Sequence, residues 1–412
     1  MKQSQITIIG AGIIGVACAA QLQMRGYQVT LIDREDPGEG CSKGNAGAFA
    51  FGAILPLISP GLLPKLPAML LNPLGSLAIS PYHLPLMLPW LLRFLLNARP
   101  GKVVENTTHM AAMLSRAAAS YRSLLQEYGN RELIRESGWI TVYESDRGYR
   151  SAVGDRRTLR EHGIRLEEFS GEGLRELLPD LSTAVIHGVY TPDSWFTTDP
   201  QRLVQQLAQQ ISARGGRFRK AEVKGISQKN GRPLLITDSG SEPCEQLLLA
   251  TGAWSKQLAR SAGDRIPLDT ERGYHLMLNH SGINPAMPVM SGEHHFVTTP
   301  MAAGLRLAGT SELAGLKRPP NYTRAEVLLK HARRLWPELQ GEATERWMGF
   351  RPTLPDSLPV LGPSTKIPGL YYAFGHQHLG LTLGAISGEL MADMITGQPA
   401  KIDMKPYRAD RF

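Results

Sequence analysis

The sequence predicts an α/β protein whose chain begins with a strand–helix–strand unit. A buried strand, Ile6–Ile9, runs directly into glycines at positions 10, 12 and 15. An apolar helix follows to about Arg25, and a second strand, Gln28–Ile32, ends in Asp33. Strands that alternate with helices are typical of a parallel sheet. A length of 412 residues argues against a single simple core.

The composition excludes several classes of protein. Hydrophobic residues make up 42% and charged residues 20%, which is typical of a globular chain. The net charge is +8, but the basic residues are scattered, so we expect no nucleic-acid partner. The three cysteines, Cys18, Cys41 and Cys244, have no CxxC spacing. We therefore expect neither a disulfide scaffold nor a metal site, and a reducing, cytoplasmic location.

The first glycine turn has the pattern of a dinucleotide site. Gly10 permits the tight turn, Gly12 lets the backbone approach a pyrophosphate, and Gly15 lets the helix pack on the strand. The helix N-terminus favours phosphate, and Asp33 can accept hydrogen bonds from the adenosine ribose. These features also argue against reading the apolar start as a signal peptide. This unit alone leaves FAD and NAD open.

Three further segments favour FAD. A strand and glycine turn span Gln246–Trp254, and a small polar loop, Cys41–Gly47, is suited to wrap a phosphate and a flavin ring. A proline-rich motif, Gly349–Gly362, precedes a strand at Leu370–Phe374 and a helix at about Leu381–Thr396. The positive end of that helix suits the negative charge of a reduced flavin.

The segment 50–97 is apolar and rich in proline. No formally charged side chain lies between Leu66 and Leu92, but five prolines do: Pro67, Pro73, Pro81, Pro85 and Pro89. Each costs roughly 3 kcal/mol inside a helix, so we expect short, broken helices and no continuous membrane span.

Two interpretations of this segment remain open. Trp90, Arg93 and Phe94 suit a headgroup region, which would make residues 53–96 a peripheral membrane contact at the inner face of the cytoplasmic membrane. The alternative is a lid packed on the protein's own core.

Together the motifs resemble the FAD-dependent D-amino-acid oxidase and dehydrogenase superfamily. They are GAGIIG with Asp33 and Arg34, SKGNAG, ATGAW, GFRPTLPDSLPVLG and GHQHLGLTLG, spread over residues 6 to 396. The resemblance is closest to the bacterial D-amino-acid dehydrogenases. The ERGYH stretch from Glu271 resembles the D-proline and hydroxy-D-proline dehydrogenases among them.

The resemblance implies two interleaved domains. Residues 1–50, 155–265 and 345–412 would form a Rossmann-like FAD-binding domain of the glutathione-reductase type. Residues 51–154 and 266–344 would form an α+β substrate-binding domain with a mixed antiparallel sheet. Some members of the family that the chain resembles hold flavin covalently through a cysteine near the final motif. No cysteine follows Cys244 here, so the resemblance implies non-covalent FAD. Its expected contacts are Gly10, Ala11, Gly12, Ile13, Ile14, Gly15, Asp33, Arg34, Ser42, Asn45, Ala46, Gly47, Val223, Thr251, Gly252, Trp254, Gly349, Gly375, Leu379, Gly380, Leu381 and Thr382.

An amino-acid substrate requires a group that holds its carboxylate. Arg351 matches the family's carboxylate-binding arginine, and its guanidinium can make two parallel bonds. Tyr274 is expected as a second donor or a pocket wall, with Arg272 beside it, and His376 as a donor to flavin or substrate. His295 and Arg306 are further pocket candidates.

The resemblance implies oxidation of a D-amino acid by hydride transfer from Cα to flavin N5, without a strong general base. Electrons would then pass to a quinone or another carrier. Two alternatives remain open: a glycine- or sarcosine-type amine oxidase that uses oxygen, and a flavin-bearing subunit of a larger complex.

Overall fold

The computed structural model describes residues 4–57, 74–129 and 131–412. The part of the apolar segment from 58 to 73, with Pro67 and Pro73, lies outside the described residues. The described strands form a six-stranded sheet, a nine-stranded sheet and two three-stranded sheets. The described α-helices are Ile13–Met24, Leu84–Asn97, Pro100–Tyr128, Asp146–Ser151, Val153–Glu161, Gly171–Leu177, Pro200–Ala213, Ser255–Ser261, Thr323–Leu335 and Gly380–Ile395.

The six-stranded sheet is built from the motifs that the sequence predicted to bind a nucleotide. Its order is Arg217–Lys220, Gln28–Asp33, Gln5–Ile9, Leu247–Leu249, Leu370–Phe374 and Val360–Pro363. The first five strands are parallel, and the last is antiparallel to its neighbour. The helices Ile13–Met24 and Gly380–Ile395 pack tightly together, since a Cβ on Gly388 would lie 2.6 Å from the Ala17 carbonyl oxygen.

The nine-stranded sheet is mixed and mostly antiparallel. Strand Leu77–Ile79 pairs in parallel with Gly304–Leu313. The other eight strands follow the order Glu345–Thr353, Asp269–Leu278, Gly304–Leu313, Phe296–Met301, Val289–Ser291, Trp139–Tyr143, His187–Thr191 and Glu167–Ser170. The helix Thr323–Leu335 covers one face of this sheet in a core that includes Leu276, Leu307 and Trp336.

Strand pairing differs from the predicted domain boundaries at two places. Glu167–Ser170 and His187–Thr191 belong to the nine-stranded sheet, although the piece 155–265 was expected in the FAD-binding domain. Glu345–Thr353 also pairs in that sheet, although the last piece was expected to start at 345. Sequence patterns show that a strand exists but not which partner it pairs with, and the division of the chain into two domains remains a prediction.

The two remaining sheets have three strands each. One joins Ala48–Phe49, Trp195–Thr197 and Ile134–Arg135. The other joins Val223–Lys229, Arg232–Thr237 and Gly240–Pro243. Asn230 and Gly231 connect two of these strands with positive φ of 51° and 77°, which is the hairpin turn that this dipeptide predicts.

The helix Leu84–Asn97 departs from the prediction of broken pieces. It continues through Pro89, and Pro85 lies in its first turn, where a missing N–H is tolerated. The membrane interpretation would place Trp90 near headgroups, whereas the alternative packs the segment on the protein's own core; Trp90 is buried, and its Nε1 donates to the Thr353 carbonyl oxygen at 3.3 Å. The ring of Phe94 stacks on Trp90 at 4.8 Å between centroids. One side of the helix is therefore packed on the protein itself.

The search for membrane-spanning segments covered the described residues. None of their helices combines the length and the apolar character that crossing a bilayer requires.

Candidate active site

A cavity of about 510 Å³ lies between the six-stranded and nine-stranded sheets. Most of the residues that the sequence predicted for the dinucleotide line it: Gly10, Ala11, Gly12, Ile13, Ile14, Asp33, Arg34, Ser42, Asn45, Ala46, Val223, Thr251, Gly252, Trp254, Gly349, Leu379, Gly380, Leu381 and Thr382. Arg351, Tyr274, His295, His376 and His378 also line it. Motifs far apart in the sequence therefore meet in one cavity.

The first glycine turn leaves room for a ligand. Gly10 has φ of +106°, and a Cβ there would lie 2.4 Å from the Ala250 carbonyl oxygen. A Cβ on Gly15 would lie 1.8 Å from the Gly10 carbonyl oxygen, so a side chain would separate helix and strand. A Cβ on Gly12 would meet only Ser42 Oγ, at 3.5 Å. The backbone at Gly12 can thus be approached closely from the cavity.

Two side chains fix this turn. Asp33 Oδ2 accepts a hydrogen bond from the Ala11 N–H at 2.7 Å, and Ser42 Oγ accepts one from the Ile13 N–H at 3.1 Å. Nearby, the guanidinium of Arg34 lies over the Trp254 ring at 4.2 Å. A carboxylate has further lone pairs, so Asp33 can also accept from a ribose hydroxyl at the cavity.

The loop Cys41–Gly47 is held from the nine-stranded sheet. Nη1 of Arg306 donates to the carbonyl oxygens of Lys43 at 3.1 Å and Asn45 at 2.5 Å. Asn45 Oδ1 accepts from the Gly47 N–H at 2.8 Å, and Gly47 has φ of +77°. Burial lowers the pKa of the Arg306 guanidinium to about 10, so it remains charged at neutral pH.

The ring of Trp347 presses on two glycines of the site. A Cβ on Gly44 would lie 2.1 Å from this ring, and a Cβ on Gly349 would lie 1.9 Å from it. The same ring also stacks on the imidazole of His275, with the two ring centroids 5.2 Å apart. Nδ1 of His275 lies 3.2 Å from the Gly44 carbonyl oxygen. Only glycine fits at these two positions while the tryptophan stays in place.

The turn after Leu370–Phe374 brings the C-terminal helix to the cavity. Gly375 has φ of +88°, and a Cβ there would lie 2.3 Å from Leu354. His376 is buried, and its Nε2 lies 2.9 Å from Ser387 Oγ. Burial lowers the pKa of the His376 imidazole to about 3, so the ring is neutral at neutral pH. Thr382 Oγ1 accepts from the Ala50 N–H at 3.1 Å.

Arg351 sits in a cross-strand pair with Glu271. The two residues face each other across neighbouring strands, and Arg351 Nη1 donates to Glu271 Oε1 at 2.6 Å. Ser311 Oγ donates to the same carboxylate oxygen at 2.6 Å. Within the described residues, Nη2 and Nε of Arg351 make no hydrogen bond, so this edge of the guanidinium remains for a ligand.

His378 completes this group of polar side chains. It lines the cavity and is exposed to solvent, and the Glu271 carboxylate raises its pKa while the Arg351 charge lowers it. The pKa of Glu271 is lowered: its burial opposes ionisation, but the Arg351 charge and the Ser311 bond outweigh that cost. At neutral pH the group therefore holds the negative charge of Glu271 and the positive charge of Arg351.

The hydroxyl of Tyr274 and the guanidinium of Arg272 are engaged away from Arg351, which corrects their prediction as donors to a substrate carboxylate; the alternative of Tyr274 as a pocket wall is unaffected. Tyr274 borders the cavity, but its hydroxyl donates to Glu312 Oε2 at 2.5 Å. The Arg272 guanidinium is fully buried, and its donors bind the carbonyl oxygens of Ala314, Gly315, Arg318 and Pro319. Both side chains share a strand face with Leu276, which belongs to the core under the helix Thr323–Leu335.

Sequence reasoning missed Glu271 and His378. The signal for Glu271 was the alternation along Asp269–Leu278, because Tyr274, Leu276 and Leu278 all belong to one buried core. Period two therefore places Glu271 and His275 on the opposite face. His378 lies in a motif that was noticed for its glycines, and its placement beside Arg351 depends on the folded turn.

The parallel sheet, the glycine turn and the shared cavity define a protein that binds a dinucleotide between two sheets. The model of the family described as FAD dependent oxidoreductase matches residues 5–394. The chain therefore belongs to this FAD-dependent oxidoreductase family, as the sequence motifs predicted.

Known relatives cover almost the whole chain. It is 35% identical to a D-amino-acid oxidase of Bradyrhizobium diazoefficiens, over 99% of this chain and 98% of that protein. It is 32% identical to a D-amino acid dehydrogenase of Paramagnetospirillum magneticum, over 99% of each. Among solved structures, glycine oxidase from Geobacillus kaustophilus matches with a TM-score of 0.79 and 21% identity, over 99% of each chain. The predicted fold class is confirmed.

The residues of the cavity fit FAD. The open approach at Gly12 and the first turn of Ile13–Met24 suit a pyrophosphate, while Asp33 suits a ribose. Within the described chain, Nε2 of Gln377 is buried beside the cavity and has no hydrogen-bond partner. A bound polar group would satisfy such a donor. We therefore assign FAD as the cofactor of this cavity.

Proposed function

We propose that this protein oxidises D-amino acids, with FAD as the hydride acceptor. The observation that carries the proposal is the free edge of the Arg351 guanidinium in the cavity that fits FAD. Such an edge can hold a carboxylate with two parallel hydrogen bonds. The relatives named D-amino-acid oxidase and D-amino acid dehydrogenase support the choice of substrate class.

The chain's own residues position the substrate. Bound FAD supplies the redox chemistry, by accepting the hydride that leaves Cα together with its electron pair. Arg351 fixes the carboxylate, and Glu271 and Ser311 hold Nη1 of Arg351, so the remaining donors keep one orientation. Fixing the carboxylate restricts the direction of the Cα–H bond. The site thereby lowers the entropic cost of reaching the reactive geometry.

In this mechanism, His376 has a structural role and does not transfer a proton. Its Nε2 is engaged with Ser387, and the ring carries no charge at neutral pH. We propose that His376 shapes the turn at Gly375, and that the reaction needs no strong general base.

Enantiomer pairs test this proposal. The purified protein is supplied with D- or L-alanine, D- or L-proline, glycine and sarcosine, and turnover is followed with an artificial electron acceptor. We expect turnover with D-enantiomers and formation of the keto acid or, for proline, the cyclic imine. Turnover restricted to L-enantiomers, or to glycine and sarcosine, would contradict it.

The electron acceptor is a separate part of the proposal. We propose that electrons pass to a quinone at a lipid surface, which the protein meets through the helix Leu84–Asn97. One face of this helix is strongly exposed, with Leu86 at 77% and Leu92 at 62%. The exposed Arg93 and Arg99 suit anionic headgroups. Oxygen is the second candidate acceptor, favoured by the relative named as an oxidase.

Vesicle sedimentation tests the lipid contact. We expect the protein to bind vesicles that contain anionic phospholipid, and a Leu86→Ser/Leu92→Ser variant to lose this binding. Val153→Ser, at a residue 53% exposed on another helix, is the matched control and should not change it. No binding by the unaltered protein would contradict the lipid contact and favour a partner subunit on this face. Peroxide formation in air at the full turnover rate would identify oxygen as the acceptor.

A further inference from the structure

Arg351 lines one end of the cavity, and its charge is paired with that of Glu271. Glu271 itself is not among the lining residues; it is 8% exposed and receives hydrogen bonds from Arg351 and Ser311. His378 lines the cavity beside them and is exposed to solvent. Cys41, another lining residue, is neutral at neutral pH, since burial raises its pKa to about 11.

We propose that Glu271 is a specificity-determining residue that makes this site select zwitterions over simple carboxylates. This inference rests on the proposed function, because an amino acid brings a carboxylate for Arg351 and an ammonium group on the same carbon atom. The carboxylate of Glu271 would attract that ammonium group through space and repel a ligand that carries only a negative charge.

Two ligands of nearly equal shape separate the attraction of the ammonium group from the repulsion of the carboxylate. D-Alanine and propionate differ by the amine alone. Two unit charges a few ångströms apart interact strongly where the protein excludes water. Both ligands carry the carboxylate that Glu271 repels, and D-alanine alone carries the ammonium group that Glu271 attracts. Removing the charge of Glu271 would therefore weaken the binding of D-alanine relative to that of propionate. A purely structural role for Glu271 predicts that both ligands lose affinity together.

The Glu271→Gln variant provides the test, because glutamine keeps the shape and a hydrogen-bond acceptor. The FAD-loaded protein is titrated with propionate, and binding is followed by the change in the flavin spectrum. The apparent dissociation constant of D-alanine comes from the rate of anaerobic flavin reduction. We expect the preference for D-alanine over propionate, measured as the ratio of their dissociation constants, to fall at least roughly tenfold relative to the unaltered protein. Parallel loss of affinity for both ligands would overturn the proposal.

Two further variants of the protein serve as controls. Glu271→Asp keeps the charge and should retain the preference for D-alanine. Glu326→Gln removes an exposed carboxylate that pairs with Arg346 at 3.1 Å, and it should change neither constant.

The unaltered protein supplies a test that needs no variant at Glu271. It should bind D-alanine at least roughly tenfold more tightly than propionate, and equal affinity would contradict the proposal even if Glu271→Gln fails to fold. If D-alanine binds without reducing the flavin, the proposed function fails. The charge comparison can still be made from the spectral change of both ligands.

Discussion

Nη1 of Arg306 lies 2.5 Å from the carbonyl oxygen of Asn45, and this contact joins the nine-stranded sheet to the loop Cys41–Gly47. The same nitrogen reaches the Lys43 carbonyl oxygen at 3.1 Å. One arginine thus fixes two backbone groups of a loop that borders the FAD cavity. The sequence placed Arg306 among the pocket candidates; the structure instead shows it holding the wall of the pocket.

Replacing Arg306 by methionine should weaken FAD binding. The variant keeps most of the side-chain volume but loses hydrogen bonds from a charged donor, each of which contributes about 1.5–3 kcal/mol. We expect the dissociation constant for FAD to rise at least roughly tenfold, as measured by flavin fluorescence on reconstitution. Arg346→Met, at an exposed arginine, is the control. Equal FAD affinity in the Arg306 variant would contradict this role.

Arg351→Ala should impair substrate binding while FAD stays bound. Losing a charge-assisted carboxylate contact costs about 2–4 kcal/mol of binding free energy. The apparent dissociation constant of the substrate should therefore rise by a factor of roughly 30 to 1,000. Arg351→Lys should recover only part of this, since an ammonium group cannot bind in two parallel bonds. The apparent dissociation constant is obtained from the rate of flavin reduction after rapid mixing with substrate. An unchanged constant in Arg351→Ala would remove Arg351 from this role.

Gly349→Ala should destabilise the protein through Trp347. The new Cβ would lie 1.9 Å from the indole ring, and moving a packed ring costs about 1–3 kcal/mol. Trp347→Ala removes the obstacle, so adding Gly349→Ala to that variant should cost less than about 0.5 kcal/mol. The unfolding temperatures of the four proteins in this double-mutant cycle provide the check. Additive losses would show that the tryptophan is not the cause.

His376 should make the protein less stable in acid. Burial lowers its pKa from 6.5 to about 3, so between these values the unfolded chain binds a proton that the folded chain does not. Stability therefore falls as the pH drops below 6.5, by about 2 kcal/mol at about pH 5. His376→Asn should lose part of this acid sensitivity, seen as a smaller fall in unfolding temperature between neutral and acidic buffer. An unchanged pH dependence would show that His376 titrates normally.

Local sequence signals predicted the nucleotide half of the molecule well. The strand Leu370–Phe374 was expected with the bounds that the structure has, and the helix expected at about Leu381–Thr396 spans Gly380–Ile395. Asp199 caps the helix Pro200–Ala213 by accepting from the Arg202 N–H at 2.9 Å. Such elements follow from short-range rules, since glycine turns, helix caps and proline positions act on their own neighbours.

The substrate end was harder to predict because it depends on long-range pairing. Glu271 and Arg351 are 80 positions apart, and only the pairing of their strands makes them neighbours. Tyr274 looked suitable as a donor, yet its strand face turns its hydroxyl to Glu312. The helix Leu84–Asn97 continues through Pro89 because its buried face, including Trp90, packs on the body of the protein. Tertiary contacts decided each of these outcomes.

In the proposed function, a D-amino acid reduces the flavin of this protein directly. Anaerobic mixing of the yellow, FAD-loaded protein with D-alanine and D-proline, and separately with their L-enantiomers, tests it in a single turnover. We expect a D-enantiomer to bleach the visible flavin band at a rate that saturates with concentration. A flavin that stays oxidised with both D-enantiomers, or is bleached only by the L-forms, would contradict it.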